Sequence, residues 1–178
     1  MSRTVGLFSM TSVVLLAVCV TSAPAFASDS GCQPVFDALS KVLATPAHLY
    51  TTEPSSSHPG NTPRSGELIY FGGAIYVKAS GKWIRSTMTA QQMLEQEKEN
   101  REHGTATCHY LRQESVSGEV AAVYSVHSEN NDIKSDGTLW ISKKGLPLRE
   151  ELDIDVNNPS KTHHSIRYEY GNIQAPPV

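Results

Sequence analysis

The side chains of this sequence that could carry chemistry are its histidines, carboxylates and serines. The seven histidines could bind a transition metal or act as acid–base groups. They stand at positions 48, 58, 103, 109, 127, 163 and 164. No two of them have the spacing of a ligand pair on one element, and the neighbours His163 and His164 fall at the start of a strand. The sequence therefore predicts packed or solvent-facing histidines and no metal site.

The serines and carboxylates also lack the pattern of a catalytic site. The sequence has no Gly-x-Ser-x-Gly elbow for a nucleophile and no glycine-rich loop for a phosphate. Glu151, Asp153 and Asp155 have the composition of a calcium loop, but they alternate along one strand without a glycine turn at their centre. We therefore expect a solvated strand face there, no catalytic residue, no cofactor and no enzymatic activity.

The N-terminal residues 1–27 have the features of a secretory signal peptide. Arg3 is the only charged residue before the apolar run at positions 13–20, and small residues end the segment at Ala25 and Ala27. We expect cleavage after Ala27 and an exported, periplasmic or otherwise secreted protein. A lipoprotein signal acylated at Cys19 is the alternative, although the branched Val18 stands where a small residue is normal. The apolar run is shorter than the roughly 20 residues of a membrane span.

Removal of this segment would leave residues 28–178 as one domain. That length is sufficient for a single hydrophobic core. The formal net charge of the full sequence is −3, and the loss of Arg3 with the leader makes the mature chain slightly more acidic. An acidic chain without a basic patch argues against nucleic acid as a partner.

Two cysteines remain after the leader, Cys32 and Cys108. An even pair in an exported chain predicts a disulfide, which would join the start of the first helix to a strand in the second half. A metal site built from these two residues is the alternative, but no short cysteine spacing accompanies them. In the chain-entropy model a disulfide that closes so long a loop contributes roughly 4 to 5 kcal/mol as an upper figure.

Hydrophobic periodicity predicts two helices and about nine strands. The helices are expected at 34–44, where Pro34 suits the first turn, and at 90–102, where Thr89 and Gln92 form a capping box. The second helix has a thin apolar side, so it should cover an edge or a mouth rather than a core centre. The strands are expected at 48–50, 67–71, 74–78, 82–85, 107–114, 118–127, 138–142, 148–156 and 164–173. Segments 53–65 and 128–136 are expected to be a loop and a polar turn, and the loop has a functional lid as its alternative.

The clearest strand pair lies at 136–156, around the turn at Lys143, Lys144 and Gly145. In its second strand the charged Arg149, Glu151, Asp153 and Asp155 alternate with largely apolar residues. That period of two predicts an antiparallel sheet with one face in water.

The order of elements resembles the periplasmic lipoprotein-carrier and outer-membrane lipoprotein-sorting superfamily, the LolA/LolB-like half-barrels. The stretch 139–149, LWISKKGLPLR, is similar to the family's strand, turn and Leu-Pro-x-Arg strand. The resemblance implies an α+β fold, with a curved antiparallel sheet as an open half-barrel and two helices covering its concave face. It also implies a hydrophobic cavity between helices and sheet, for a lipid, an acyl chain or a lipidated or apolar partner at the cell envelope.

Strand alternation supplies the residues expected to line that cavity. They are Ile69, Phe71, Tyr124, Val126, Leu148, Leu152, Ile154, Ile166, Tyr168 and Tyr170. The alternative is a fully packed α+β domain without a cavity, acting as an envelope interaction or structural module.

Overall fold

The computed structural model describes residues 30–53, 64–130, 133–156 and 162–178. These residues form two α-helices, α1 (Gln33–Ala44) and α2 (Ala90–His103). The strands are β1 (Ala47–Glu53), β2 (Arg64–Phe71), β3 (Ala74–Ala79), β4 (Lys82–Thr89), β5 (Thr105–Val116), β6 (Glu119–Asn130), β7 (Ile133–Ser142), β8 (Pro147–Val156) and β9 (Thr162–Tyr170). All nine form one sheet in the order β4-β3-β2-β1-β9-β8-β7-β6-β5. The sheet ends at β4 and β5 and stays open, which confirms the predicted α+β half-barrel with two helices.

Helix α1 forms where the apolar spacing predicts it. Val35, Ala38, Val42 and Leu43 are buried along one side, which is the period of a helix packed on a sheet. A proline occupies its first turn, and the helix ends where the N–H of Thr45 donates to the carbonyl oxygen of Val42 at 3.1 Å. The result is a helix held firmly along its whole length.

Helix α2 starts at the predicted capping box. The Thr89 hydroxyl accepts from the N–H of Gln92 at 3.2 Å, and the Gln92 side chain accepts from the N–H of Thr89 at 2.9 Å. Of the residues described for α2, only Ala90 is buried. The start of α2 is therefore well capped, but few of its side chains are buried against the sheet, as its thin apolar side predicts.

The register of the strands defines two faces of the sheet. Ala47 pairs with Tyr70 on one side and with Tyr170 on the other, so these three side chains share a face. We call it the helix face, because Tyr70 packs in one cluster with Val42 of α1. The opposite face carries His48 and its neighbours, and we call it the open face.

Two apolar clusters lie on the helix face. The first joins the end of α1 to the centre of the sheet and includes Leu43, Leu49, Tyr70, Ile75 and Tyr168. The second joins the start of α1 to the β5, β6 and β7 strands and includes Val35, Cys108, Leu139 and Ile141. A third, smaller cluster contains Ala121, Val123 and Trp140.

The predicted disulfide joins Cys32 and Cys108, with their Cα atoms 4.8 Å apart. Cys32 is the residue before α1, and Cys108 lies on the edge strand β5. The bridge therefore fastens the start of the helix layer to one edge of the sheet.

One segment forms paired strands where the sequence predicts a turn. The polar turn expected at 128–136 is wrong, because β6 and β7 continue pairing as far as Asn130 and Ile133. Cross-strand contacts offset its polar composition: the Ser128 and Ser135 hydroxyls are 2.7 Å apart, and Lys134 Nζ lies 3.0 Å from a Glu129 carboxylate oxygen.

Two other predictions involve residues outside the described ones. The leader at 1–27 lies wholly outside them, as do residues 54–63 of the expected loop. Arg64 and Ser65 belong to β2 and pair with β1, so strand β2 begins earlier than the sequence predicts. No helix among the described residues is long and apolar enough to cross a membrane.

Candidate ligand-binding site

A recess of about 440 Å³ lies between the two helices and the half of the sheet formed by β5 to β8. This volume falls within the roughly 300 to 1,000 Å³ of small-molecule sites. Helix α1 contributes Val35, Phe36, Leu39 and Leu43, and α2 contributes Leu94, Glu97, Asn100 and Arg101. The sheet contributes Ala106, Val126, Asn130, Ile133, Gly137, Leu139, Glu150 and Leu152, among others. The two helices thus form the walls of the recess, and the helix face of the sheet forms its floor.

The floor of the recess depends on a glycine. Gly137 pairs with Leu152 across β7 and β8. A Cβ atom at residue 137 would lie 3.1 Å from the Leu152 Cδ1 atom and 3.1 Å from the Glu151 carbonyl oxygen. A side chain there would push into the floor, so the glycine keeps the space above these strands open.

Glu150 contributes a carboxyl group to this floor. It alternates with Leu152 on the helix face, is surrounded by protein, and keeps some accessible surface because it lines the recess. The Tyr168 hydroxyl donates to Glu150 Oε2 at 2.8 Å. Burial raises the pKa of Glu150 above its ordinary value, and the nearby Glu97 raises it further, although the Tyr168 hydrogen bond opposes both.

The pKa values of Tyr70 and Tyr168, which lie near Glu150, are raised by the same buried environment. Burial, with the charge of Glu150, raises the pKa of Tyr70 to about 12 and that of Tyr168 well above its ordinary value. Both phenols are therefore hydrogen-bond donors at any physiological pH. They surround one carboxyl in an apolar layer.

The structure places most of the residues predicted for the cavity on the helix face. These are Tyr124, Val126, Leu152, Ile154, Ile166, Tyr168 and Tyr170. Val126 and Leu152 line the recess itself. Tyr168 is buried in the first cluster, with Ile166 and Tyr170 packed against it, so these three support the floor from the side.

The other three predicted residues lie elsewhere. Ile69 pairs with His48, which places Ile69 and Phe71 on the open face. All four residues from Leu68 to Phe71 are apolar, so alternation cannot tell which pair faces the helices. Leu148 packs against the Ala121, Val123 and Trp140 cluster, because a bulge shifts the register between Trp140 and Ile141.

Sequence reasoning missed the helix residues and the carboxyl of this site. Phe36 and Leu39 belong to the apolar periodicity that predicts the helix at 34–44, but only the position of α2 shows that they face a recess. Glu150 was visible as a charge on the apolar side of its strand, the kind of departure from pattern that marks a site.

The open face carries a second and larger groove, of about 900 Å³, with a polar lining. Its cations are neutralised locally: Lys78 lies 2.6 Å from Glu67, Arg149 lies 2.6 Å from Glu151, and Arg167 contacts Glu169. The hydrogen bond from Lys78 lowers the pKa of Glu67, with His48 adding to the effect, and Arg167 lowers that of Glu169. These pairs stabilise the face rather than offer an uncompensated charge to a ligand.

Histidines on the open face are held by carboxylates. His163 Nδ1 lies 2.7 Å from an Asp153 oxygen and His163 Nε2 lies 2.9 Å from a Glu151 oxygen. These acids raise the pKa of His163, as Asp136 and Glu129 raise that of His127. Within the described ranges no group of three or more His, Cys, Asp or Glu side chains is arranged to hold a metal ion.

Comparison with known proteins adds the following. No family model and no curated protein matches the sequence. Among solved structures, LprF from Mycobacterium bovis is similar at 11% identity and a TM-score of 0.43, covering 83% of this chain and 94% of LprF. The lipoprotein LppX from Mycobacterium tuberculosis is similar at 13% identity and a TM-score of 0.42, covering 82% of this chain and 100% of LppX.

A LolA superfamily protein from Nitrosomonas europaea is also similar. It has 9% identity and a TM-score of 0.25, and the match covers 84% of this chain and 96% of that protein.

Proposed function

We propose that this chain is an exported, non-catalytic binding protein that holds one acyl chain or similar apolar ligand in the recess between its helices and sheet. The observation that supports this most directly is the recess itself, with apolar walls from Phe36, Leu39 and Leu94 above a floor at Val126 and Leu152. Export is supported by the signal-like sequence at 1–27 and by the Cys32–Cys108 disulfide, because disulfides form in oxidising compartments.

Entry to this recess would be controlled by α2. The helix has one buried residue, and Met93 and Leu94 are its only large apolar side chains. Movement of α2 therefore exposes little apolar surface and costs little free energy. In contrast, α1 is held by four buried side chains and by the disulfide, so it would act as the fixed wall.

The size of the recess limits the ligand to one chain. A volume of about 440 Å³ corresponds to roughly 15 groups of water size at ~30 Å³ each, and a methylene is of similar size. Each methylene buried contributes about 0.8 kcal/mol, a factor of about four in affinity. A chain of about a dozen carbons would fill the site.

A series of straight-chain alcohols tests this proposal. The alcohols should displace the neutral dye N-phenyl-1-naphthylamine from the exported protein. We expect the Kd to fall about fourfold for each added methylene and to level off near twelve carbons. Native mass spectrometry of freshly exported protein should show one co-purified apolar ligand. A protein that binds neither dye nor alcohol would contradict the proposal.

Leu152→Lys tests the position of the site. At a solvated recess the lysine reaches water along its alkyl stem, so the protein should fold but lose dye binding by at least tenfold. The control is Ile84→Lys, on the edge strand β4, where 52% of the side chain is exposed and binding should not change. An unfolded Leu152→Lys protein would indicate a closed core instead, and a folded protein with intact binding would place the ligand elsewhere.

The second candidate is an envelope interaction module. Apolar side chains are exposed at Tyr110 and Leu111 on the edge strand β5, next to the register shift in its pairing with β6, and at Val120 on β6. Exposed apolar groups at a strand edge suit a protein partner. This role predicts a retained envelope protein in a pull-down that Leu111→Ser weakens, together with no effect of alcohols on the thermal midpoint.

A further inference from the structure

The recess is not electrically neutral. Its lining contains two carboxylates that face it, Glu97 and Glu150, and one cation, Arg101, because the Glu129 side chain points to the open face and pairs with Lys134. The Arg101 guanidinium lies over the Phe36 ring, 4.9 Å from its centroid, and is thereby occupied in closing one end of the recess. An apolar site with an excess of negative charge favours a ligand with a positive end.

The helix that covers the recess adds to this bias. Asn100, Arg101 and Gly104 line the recess, and they belong to the last turn and C-terminal end of α2. A helix C-terminus carries partial negative charge from its unpaired carbonyl groups. The fit there is close, because a Cβ at Gly104 would lie 2.8 Å from the carbonyl oxygens of both Asn100 and Glu129.

An acceptor atom at the same place has no partner. Asn130 lines the recess and donates through its amide nitrogen to the Asn100 side-chain oxygen at 3.2 Å. Its own oxygen, Oδ1, is buried without a hydrogen bond from any described residue. A buried acceptor left unsatisfied costs about 1 to 3 kcal/mol, which a donor on a ligand would recover. Glu150 likewise receives its one described hydrogen bond on Oε2, from Tyr168.

We propose, building on the proposed function above, that the recess selects a single-chain amphiphile whose polar end is a protonated primary amine. The alkyl chain would lie against Phe36, Leu39 and Leu152. The ammonium group would donate to the acceptors of the recess, Glu150 from the floor and Glu97 or Asn130 from its rim. A fatty acid of the same length would place its carboxylate beside the two carboxyl groups of Glu97 and Glu150.

The pH dependence follows from the groups that face Glu150. These are Tyr168 from β9, Tyr70 from β2 and Glu97 from α2. The lining residues described for α1 and β7 contribute no titratable group. Both tyrosines stay neutral, so below pH 8 only carboxyl groups titrate there. Because the pKa of Glu150 is raised, amine affinity should decrease as pH falls from 8 to 5, while the affinity for a neutral alcohol should not.

The experiment compares three ligands of equal chain length on the exported protein at pH 7.5 and low salt. Dodecylamine, 1-dodecanol and dodecanoate displace N-phenyl-1-naphthylamine in separate titrations below their micelle concentrations. We expect dodecylamine to bind at least tenfold more tightly than dodecanoate, with dodecanol between them. Glu150→Gln should reduce that preference to threefold or less without changing the dodecanol affinity.

The matched control is Glu151→Gln, the same change on the next residue of β8, which faces the open side. It should leave the amine preference unchanged. If Glu150→Gln does not fold, Glu97→Gln decides, because this exposed helix residue should lower amine affinity at least threefold with an unchanged melt.

Equal affinities, or a preference for dodecanoate, would overturn this inference while leaving the proposed function in place. An amine preference that survives Glu150→Gln, or Glu97→Gln where that variant decides, would also overturn it. Failure of dodecanol to bind at all would overturn the proposed function and this inference with it. The amine preference, its loss in the variant and its decline with falling pH together would establish the assignment.

Discussion

Glu150 places a carboxyl group in the apolar layer under the recess. A carboxyl among Tyr70, Tyr168 and Leu152 is costly to ionise, and one hydrogen bond from Tyr168 offsets only part of that cost. A leucine at this position would continue the apolar pattern of the strand at no such cost. The residue is therefore better explained by what it contacts in the recess than by what it adds to the fold.

Glu150→Gln should make stability less dependent on pH. A carboxyl whose pKa is raised in the folded state binds more protons when folded, so it lowers stability progressively as pH rises from the unfolded pKa of about 4.3 towards the folded value. The amide has no such titration. We expect the variant to match the wild type near pH 4 and to have the higher thermal midpoint at pH 8.

The measurement is a series of circular-dichroism melts between pH 4 and pH 8. Histidines act in the same direction: His163 has a raised pKa, so its contribution is present below about pH 6.5 and is lost as pH rises through its folded pKa. Carrying His163→Gln in both proteins removes that contribution. A Glu150→Gln protein that is less stable than wild type at pH 8 would mean that the charged carboxylate has a stabilising partner.

At the scale of elements, the sequence predicts what local pattern determines. Thr89 and Gln92 fix the start of α2, and alternation in β8 fixes its two faces, because each depends on neighbours in the chain. Alternation does not predict the two faces of β2, because Leu68 to Phe71 are apolar on both faces. It also assigns Leu148 to the wrong face, since the bulge beside Trp140 is set by the partner strand and not by Leu148 itself.

Thr89→Ala should loosen α2 specifically. The hydroxyl satisfies one of the unpaired N–H groups at the helix start, and its loss typically costs about 1 kcal/mol. Because α2 has few other anchors, most of this cost should appear as local opening. We expect amide exchange in α2 to become about fivefold faster while exchange in α1 is unchanged.

Hydrogen exchange followed by mass spectrometry would measure both helices in one sample. Thr107→Ala is the control, the same substitution at an exposed site on β5. If α2 opening controls entry, dye association should also become faster in Thr89→Ala but not in Thr107→Ala. Equal protection of α2 in all three proteins would show that packing, not the cap, holds the helix.

At the scale of the whole molecule, the chain places its first strand beside β9, the central strand of the sheet. β1 lies between β2 and β9, so residues from both ends of the domain meet there. Helix α1 precedes β1, and its other end is fastened to the edge strand β5 by the Cys32–Cys108 bridge. The two fastenings hold α1 across half of the helix face and keep one wall of the recess fixed. Such a long-range arrangement is not visible in any local pattern of the sequence, whereas the pairing of two cysteines was.

Replacing both Cys32 and Cys108 by serine should therefore affect stability and ligand binding together. The bridge spans a sequence separation of 76 residues, and the chain-entropy model assigns roughly 4 to 5 kcal/mol to such a loop as an upper figure. Denaturant unfolding should show a loss of free energy of unfolding up to this size, and dye affinity should fall because α1 is no longer held against β5.

Reductant should produce the same change in the wild type and none in the double variant, and mass analysis of the exported wild type should show the two-proton difference of one disulfide. Two free thiols in native exported protein would contradict the bridge, whereas a double variant that is destabilised but binds dye normally would show that α1 keeps its place through Val35, Ala38 and Val42 alone.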